Sequence, residues 1–331
     1  MKFLKNKTVM ITGGTGSFGQ TCTKHLLKND VKKVIIYSRD ELKQFEMSNN
    51  FDDTNRLRFL LGDVRDPERL KLATKEVDIL IHAAALKQVP AGEYNPMEPI
   101  KTNIYGAENV ISASIENNIK KIIALSTDKA ANPVNLYGAT KLCSDKLFLD
   151  ANNLTGSSDT KFSVVRYGNV VGSRGSVLPY FKSLIKKNVK SLPVTDEKMT
   201  RFWIQLEDGV KFVLNSIEIM TGGELFVPKT PSIRIIDLVK ALDKNIKYHV
   251  VGIRPGEKLH EVLCPGETAR DTLEFKNYFL IVPYSFGGSD KFKKYKINKN
   301  NEKAKFVKNN FVYSSDNNSH FLNIEEIKKL V

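Results

Sequence analysis

Four ionisable side chains lie within one short stretch, ALSTDKAANPVNLYGATK, which begins at residue 124. Asp128 and Lys129 are adjacent, and Tyr137 and Lys141 follow at a spacing of four. On a helix that spacing places Tyr137 and Lys141 on the same face. Because an ammonium group beside a phenol lowers the pKa of the phenol, we predict that Tyr137, assisted by Lys141, transfers protons near neutral pH.

The strands and helices that must position these residues are indicated by the apolar pattern. Apolar runs alternate with helical segments, for example 18–29 and 97–117, which is typical of a parallel sheet covered on both faces. The predicted strands cover residues 8–12, 33–38, 57–63, 77–85, 121–127 and 162–170. We therefore predict an α/β fold with a Rossmann-like, doubly wound parallel sheet, in which Thr127 ends the fifth strand.

Beyond residue 172 the alternation weakens, and we predict a smaller, interleaved substrate lobe. The expected divisions are a Rossmann domain over 1–172, rejoined by some later segments, a lobe over 173–284 and a Lys/Asn-rich C-terminal extension over 285–331. Helices are expected at 174–188, 206–220 and 232–244, with Ser232 as a candidate N-cap, and a terminal helix at 323–331.

A glycine-rich loop, ITGGTGSFGQ, follows the first predicted strand and opens the first helix. Glycines in such a loop allow a tight turn and a close approach to a pyrophosphate, and the helix N-terminus supplies free N–H groups. An ordinary tight turn is the alternative, but the position within a strand–helix unit favours a dinucleotide site. The candidate cofactor residues of this loop are Gly13, Thr15, Gly16, Ser17, Phe18 and Gly19.

The end of the second strand predicts the choice between NAD and NADP. An acid there would bind the ribose hydroxyls of NAD, whereas this chain has Ser38 and Arg39, with Lys43 one turn later. We favour NADP, although a shifted register would make Asp40 the ribose ligand. Other strand ends supply further candidate cofactor residues, namely Asp63, Val64, Ala83, Ala84 and Lys87, and plain packing is the alternative for the alanines.

Composition limits the partners of the chain. The net charge is +14, but residues 291–308 hold eight lysines and one acid and so supply half of that excess. We expect this segment to be a solvated, poorly ordered surface, with a docking patch for an acidic partner as the alternative, and we expect no nucleic-acid partner. Cys22, Cys143 and Cys264 lack metal-ligand spacing, so no metal site is predicted, and Cys22 and Cys143 are expected in the core.

Membrane insertion and export are not expected either. No apolar run approaches the roughly 20 residues needed to cross a bilayer. The N-terminal apolar stretch is too short for a signal peptide and runs directly into the first strand. We therefore expect a cytoplasmic protein.

Several stretches together resemble the extended short-chain dehydrogenase/reductases that modify nucleotide sugars, and among these the inverting UDP-N-acetylglucosamine 4,6-dehydratases. The resemblance is carried by TGGTGSFG, SRDELKQ, HAAALKQVP, NIYGAENVI, STDKAANPVNLYGATK, RYGNVVGSRGSV, MTRFWI and RPGEKLHEVL. The adjacent Asp128 and Lys129 discriminate most, because sugar epimerases of the superfamily generally lack this pair. Membrane-anchored retaining dehydratases typically carry methionine at the position of Tyr137, and they have transmembrane helices.

The resemblance implies a mechanism for the Asp128–Lys129 pair. Tyr137 would take the proton of the 4-hydroxyl during oxidation at C4, Lys129 would then remove the C5 proton, and Asp128 would protonate the departing 6-hydroxyl. These roles require a neutral amine and a protonated carboxyl, which burial would favour. Both side chains can face the sugar only if the chain bends after Thr127. A surface ion pair in a loop is the alternative.

The resemblance also implies the substrate contacts. Asn169 and Val170 end the sixth predicted strand, where a partner for the substrate amide and a wall for the nicotinamide are expected. Four residues match positions that bind the UDP moiety in the family, and Lys87 could face either substrate or cofactor phosphate; the four are Thr195, Arg201, Arg254 and Glu257. Arg201 and Arg254 could instead be structural, and Asn103 and Tyr105 could equally be site residues or helix packing.

The expectation is therefore an NADP-dependent UDP-N-acetylglucosamine 4,6-dehydratase that inverts C5. The alternatives are a UDP-sugar 4-epimerase or a retaining dehydratase on the same scaffold, and a non-catalytic NADP-binding regulator. Relatives form homo-oligomers, often hexamers, so a homo-oligomer is expected. The resemblance leaves the pathway open between pseudaminic acid and other 6-deoxy amino sugars.

Overall fold

A ten-stranded sheet forms the centre of the fold in the computed structural model, which describes residues 1–53, 55–173, 175–283 and 292–331. The strands are β1 (Thr8–Thr12), β2 (Lys33–Ser38), β3 (Leu57–Leu61), β4 (Ile79–His82), β5 (Lys121–Thr127), β6 (Lys161–Tyr167), β7 (Asn169–Val170), β8 (Ser191–Val194), β9 (Thr200–Ile204), β10 (Leu225–Pro228), β11 (Ser232–Arg234), β12 (Lys247–Val250), β13 (Val262–Cys264), β14 (Thr272–Glu274), β15 (Tyr278–Ile281), β16 (Lys305–Phe306) and β17 (Tyr313–Ser314).

Helices cover both faces of this sheet. They are α1 (Ser17–Leu27), α2 (Glu41–Ser48), α3 (Pro67–Ala73), α4 (Val89–Tyr94), α5 (Met97–Pro99), α6 (Gly106–Glu116), α7 (Leu136–Asp150), α8 (Val177–Lys186), α9 (Leu206–Ile219), α10 (Ile235–Leu242) and α11 (Ile324–Lys328). A π-helical segment, Ile100–Tyr105, joins α5 to α6, so the predicted helix over 97–117 is confirmed but is not uniformly α-helical.

The strand order β16-β14-β15-β10-β6-β5-β4-β1-β2-β3 confirms the doubly wound fold. Within this sheet, neighbouring strands pair in parallel in the series β10, β6, β5, β4, β1, β2 and β3. Strands β15, β14 and β16 extend the sheet beyond β10 with antiparallel pairs. The chain moves outward from β1 to β3 and then returns to place β4 on the other side of β1. In open α/β sheets a ligand binds beyond the carboxyl ends of the strands at such a reversal.

The smaller lobe has its own sheets and core. Strands β11, β9 and β7 form one sheet, and β12 and β8 form another. Its apolar core includes Phe181, Trp203 and Leu238, which lie on α8, β9 and α10. Strands β10, β14 and β15 return to the main sheet, as expected for some later segments. The domain boundaries at residues 172 and 284 stay a proposal.

Several local expectations are wrong in the structure. The predicted strand 162–170 is interrupted after β6, because Asn169 and Val170 pair with β9 of the lobe. Ser232 lies in β11 and caps no helix, since α10 begins three residues later with Arg234 as its N-cap. Cys143 is exposed, although Cys22 is buried as expected.

The C-terminal extension is more ordered than the sequence indicates. Residues 284–291 lie outside the described part of the chain. Beyond them, β16 pairs with β14, and the buried Tyr295 hydroxyl donates to the Gly222 carbonyl (2.8 Å). The expectation of a poorly ordered stretch is therefore wrong for residues 292–308. The terminal helix is confirmed as α11, whose N-terminus has a capping box of Asn323 and Glu326.

Candidate active site

The glycine-rich loop forms the floor of a cleft at the carboxyl end of β1. Gly13 has φ +67°, and a Cβ there would lie 2.8 Å from the Cα of Ala84. A Cβ at Gly19 would lie 2.2 Å from the Gly14 carbonyl oxygen, so the first turn of α1 can pack on the loop only without a side chain. Gly16 is the N-cap of α1, and Thr15 lines the cleft. The helix N-terminus and the absent side chains fit a dinucleotide pyrophosphate.

The end of β2 lines the same cleft. The Ser38 hydroxyl accepts a hydrogen bond from the buried Gln44 amide (3.0 Å). Arg39 lies 3.5 Å from the Asp63 carboxylate and is half-exposed. Asp40 caps α2 by accepting from the Lys43 backbone N–H (3.0 Å), and its carboxylate also contacts the Lys43 ammonium. Asp40 is thus occupied by α2, and Arg39 and Lys43 both line the cleft.

The segment after β4 contributes Ala84 to this cleft, and its Lys87 lies near Lys129. Asn103 holds the segment in place, because its amide brackets Leu86: the side-chain oxygen accepts from the Leu86 N–H (2.9 Å) and the side-chain nitrogen donates to the Leu86 carbonyl (3.0 Å). Burial and the charge of Lys129 lower the pKa of Lys87. The sequence missed Thr102, which lines the cleft together with Val64.

The chain bends directly after β5, as the sequence predicts. Asp128–Ala130 forms a single 3-10 turn, and Thr127 caps it by accepting from the Lys129 N–H (3.3 Å). The Thr127 hydroxyl donates to Asp128 Oδ1 (3.0 Å), and Lys129 Nζ donates to the same oxygen (3.2 Å). Asp128 is only 1% exposed, which excludes the alternative of a surface ion pair.

Glu261 is a site residue that the sequence analysis missed. Its carboxylate is 2% exposed and lies 3.2 Å from Lys129 Nζ. Burial alone would lower the pKa of Lys129, but the Asp128 and Glu261 carboxylates outweigh it and raise that pKa above its usual range. The expected shift of Lys129 towards a neutral amine is therefore wrong for the ligand-free chain. The only sequence signal for Glu261 was its place in RPGEKLHEVL.

Helix α7 brings Tyr137 to this turn. Thr127 and Lys129 both lie near enough to the Tyr137 phenol to lower its pKa. Burial nevertheless raises the pKa of Tyr137 to about 12, although the charge of Lys129 opposes that rise. Lys141 is buried, and burial lowers its own pKa while Asp145 opposes the change. The expectation of a lowered phenol pKa is thus wrong, because burial outweighs the nearby positive charge of Lys129.

The predicted nucleotide-binding residues are brought together in the lobe. The Arg254 guanidinium donates two hydrogen bonds to the Glu257 carboxylate (3.0 and 2.9 Å). Arg201 is buried, and it donates to backbone carbonyls that include those of Thr200 (2.7 Å) and Leu259 (3.0 Å). Thr195 directly follows β8. The last residue of that strand, Val194, accepts a hydrogen bond from the N–H of Val251, three residues before Arg254 (2.9 Å).

Asn169 and Val170 lie where β7 joins the lobe to the main domain. Asn169 pairs with Trp203 of β9, and its side-chain oxygen is buried without a hydrogen-bond partner in the described chain. A Cβ at the preceding Gly168 would lie 3.4 Å from Asp128 Oδ2, so this segment borders the catalytic turn. Tyr105, by contrast, is half-exposed on the π-helical segment.

Comparisons with known proteins agree with this geometry. The family model for polysaccharide biosynthesis proteins matches residues 9–283. A UDP-N-acetylglucosamine 4,6-dehydratase (inverting) of Campylobacter jejuni is 58% identical over 98% of this chain and 97% of its own length. A UDP-glucose 4-epimerase of Rickettsia akari is 42% identical over 98% of this chain and 95% of its own. The solved structure of Pen from Bacillus thuringiensis has a TM-score of 0.88 at 37% identity, covering 99% of this chain and 98% of that one.

No helix in the described part of the chain combines the length and the apolar character that a membrane span requires. The cleft built from the glycine loop, β2 and β4 fits a nicotinamide dinucleotide, and the buried turn of Asp128 and Lys129 lies beside the tyrosine of α7. The extent of the family match and the identity to its members lead to one conclusion. The chain belongs to the polysaccharide biosynthesis protein family.

Proposed function

We propose that the chain is an NADP-dependent UDP-N-acetylglucosamine 4,6-dehydratase that inverts C5. The observation that carries the proposal is the buried turn of Asp128 and Lys129, which Thr127 caps and which lies close enough to Tyr137 for Lys129 to lower the phenol pKa. An acid, an amine and a phenol at one site are the groups that oxidation followed by elimination of water requires. The proposal also rests on the 58% identity to a relative of that name.

The first step is oxidation at C4. A nicotinamide dinucleotide, when bound, supplies the hydride acceptor for C4 and the hydride donor for C6. The phenolate form of Tyr137, which the positive charge of Lys129 favours against burial, accepts the proton of the 4-hydroxyl. The new ketone acidifies the C5 proton and so prepares the sugar for elimination.

In the elimination step, the Asp128–Lys129 pair can supply and take up every proton that the reaction requires. Lys129 Nζ and Asp128 Oδ1 lie 3.2 Å apart, so one proton can pass between them and turn the ammonium and carboxylate into an amine and a carboxylic acid. The amine then takes the C5 proton, and the acid donates its proton to O6 as the C6–O6 bond breaks and water leaves. The amine thereby becomes an ammonium and the acid a carboxylate, so Lys129 ends in the protonated form that its raised pKa favours.

Inversion follows if the C5 proton returns from the opposite face. Tyr137, which carries the proton taken from the 4-hydroxyl, is the candidate donor for that step, because Lys129 took the C5 proton from the first face. The product is then UDP-2-acetamido-2,6-dideoxy-β-L-arabino-hex-4-ulose, a precursor suited to pseudaminic acid or another 6-deoxy amino sugar.

Three features of the β2 end support NADP over NAD. Asp40 also lines the cleft, but as the N-cap of α2 it already accepts from the Lys43 backbone N–H, and its carboxylate contacts the Lys43 ammonium, which leaves it fewer acceptor sites for ribose hydroxyls. The Ser38 hydroxyl and the half-exposed cations of Arg39 and Lys43 line the cleft, where they would bind a 2′-phosphate. Arg39 and Lys43 would then exchange part of their contact with Asp63 and Asp40 for contact with the phosphate.

The substrate contacts remain a proposal as well. The exposed Arg254 is paired with the partly buried Glu257, and we propose that this pair binds the UDP moiety together with Thr195 and Lys87. Arg201, which is bound to several carbonyls, would act by shaping this loop. We also propose a cytoplasmic homo-oligomer, which size-exclusion chromatography with light scattering would test.

Product analysis tests the function directly. The protein is incubated with UDP-N-acetylglucosamine and NADP, and the product is followed by proton NMR. A C6 methyl group together with a C4 ketone supports dehydration, and coupling constants at C5 report inversion. A 4-epimer with an intact 6-hydroxyl would overturn the proposal.

The second candidate is a UDP-sugar 4-epimerase, which the 42% identity to a relative of that type favours. Lys129→Met separates the two. A dehydratase should lose about 10²- to 10⁴-fold in kcat, the usual contribution of an acid–base group. An epimerase has no C5 proton to remove, so it should lose only the smaller assistance that the charge of Lys129 gives to Tyr137.

A further inference from the structure

Glu261 is a buried carboxylate surrounded by three cations. Lys129 Nζ lies 3.2 Å from its Oε1, Lys258 Nζ lies 3.7 Å from its Oε2, and Arg201 Nε lies 3.9 Å from Oε1. Its Oε2 is buried and accepts no hydrogen bond from the described residues. A carboxylate that is 2% exposed requires such compensation, and Lys129 is its nearest partner.

The C-terminal extension holds Glu261 in this place. The Glu261 N–H donates to the Ser315 hydroxyl (3.0 Å), and the Ser315 N–H donates to the Glu261 carbonyl (2.8 Å). The Ser315 hydroxyl also contacts the Thr200 hydroxyl (2.7 Å) next to Arg201. Strand β17, directly before Ser315, pairs with β13, which begins directly after Glu261. The extension, which carried no recognisable motif, is therefore part of the support of the site.

We propose that Glu261 is a positioning residue for the elimination step, holding the Lys129 ammonium against Asp128 until the sugar has been oxidised. This inference rests on the proposed dehydratase function. Lysine has a long, flexible side chain, and two carboxylates at 3.2 Å fix its nitrogen at one point. With Asp128 as the only partner, Lys129 Nζ would be free to move away from the oxygen with which it exchanges a proton.

The charges around Lys129 predict a measurable consequence. Burial and the positive charge of Arg201 lower the pKa of Lys129, and the charges of Asp128, Glu261 and Tyr137 raise it. Two further cations, Lys87 and Lys258, lie close enough for Lys129 to lower their pKa values. Removing the negative charge of Glu261 leaves Arg201 and these lysines less compensated, so the pKa of Lys129 should fall.

Glu261→Gln removes this charge with little change of shape. The titration of Lys129 is followed by carbon-13 NMR of the full chain labelled in the lysine ε-carbon, and Lys129→Arg identifies the resonance. We expect the titration to move to lower pH by about 1 to 3 pH units in Glu261→Gln, the usual effect of one neighbouring charge. We expect kcat to fall at least about 10-fold, since the nitrogen is no longer fixed.

Three further variants separate positioning from general damage. Glu261→Asp keeps the charge but shortens the reach, so kcat should fall while the titration moves little. Ser315→Ala loosens the support and should lower kcat by a smaller factor. Glu224→Gln is the control, because it neutralises another buried carboxylate, whose partner is the Ser163 hydroxyl (2.6 Å) and not Lys129. It should leave the Lys129 titration unchanged.

The outcomes distinguish this inference from the function on which it rests. A folded Glu261→Gln variant with the wild-type Lys129 titration and wild-type kcat would overturn the inference, while wild-type product formation would leave the dehydratase function intact. If the wild type forms no 4-keto-6-deoxy product but the titration shifts, the contact between Glu261 and Lys129 is supported and its assigned role in elimination is overturned.

Discussion

Replacing Gly138 by alanine tests whether the exact placement of the catalytic turn controls activity. Gly138 follows Tyr137 in the first turn of α7. A Cβ at this position would lie 2.2 Å from the Lys129 carbonyl oxygen and 3.1 Å from Pro133, whereas ordinary contact begins at 3.4 Å. The backbone oxygen cannot rotate away as a side chain can, so the turn must separate from the helix by roughly 1.2 Å.

This displacement allows both activity and stability to be predicted. A misplacement of about 1 Å costs about 100-fold in rate, so kcat should fall by about two orders of magnitude. Overpacking costs about 1 to 3 kcal/mol, and the helix propensity gained on replacing glycine returns about 1 kcal/mol, so the free energy of unfolding should fall by about 0 to 2 kcal/mol. The variant should therefore fold and still be nearly inactive.

The assay is the initial rate of product formation with saturating cofactor and substrate, together with urea unfolding followed by circular dichroism. Gly209→Ala is the matched control, because Gly209 also lies in a helix and its added Cβ would meet only Ile204 at 3.8 Å. It should keep kcat and lose no stability. A folded Gly138→Ala variant with kcat within about threefold of the wild type would refute the reasoning, since the factor expected from the displacement is about 100-fold.

Two further predictions concern the cofactor and the lobe. Arg39→Ala and Lys43→Ala should each raise the Kd for NADP by about 10-fold, the low end for a charged hydrogen bond at a half-exposed site. The Kd for NAD should stay nearly unchanged. An equal loss of affinity for both cofactors in calorimetric titrations would contradict the 2′-phosphate role. Burial would raise the pKa of Glu257, but the hydrogen bonds from Arg254 and the charge of Arg254 lower it. The ion pair therefore stabilises the fold above the unfolded pKa of about 4.3, and this stabilisation is lost as the pH falls through the folded pKa. Glu257→Gln should therefore cost about 1 kcal/mol in the free energy of unfolding at pH 7, measured in urea, and converge with the wild type in acid; a difference that does not depend on pH would count against the ion pair.

Local patterns were sufficient for the main sheet and the cofactor cleft. The strands β1, β2 and β5 have the predicted bounds, because buried parallel strands are continuous apolar runs that are read without knowledge of their partners. The bend after Thr127 also followed from local geometry, since adjacent residues can face one site only if the chain turns. The close packing of Gly13 against Ala84 explains why both positions are small, but only the structure shows that they meet.

The electrostatics of the site depended on contacts that are remote in sequence. Lys129 has a raised pKa because Glu261, which is remote in sequence, lies 3.2 Å from it and adds its charge to that of Asp128. Tyr137 has a raised pKa because the site buries it. Neither burial nor a partner at that distance along the chain can be inferred from the spacing of Tyr137 and Lys141. Ser315 is a similar case, because its contact with Glu261 joins the C-terminal extension to the site.

The amino-acid sequence by itself determined the fold class, the dinucleotide loop and the group of residues that can perform the chemistry. Those features are local: a strand, a glycine turn and a helical spacing each depend on a few neighbouring residues. Only the tertiary structure decided which carboxylates surround Lys129 and how the extension supports them. Charges act through space, so their effect on a proton depends on distances that are established only when the whole chain has folded.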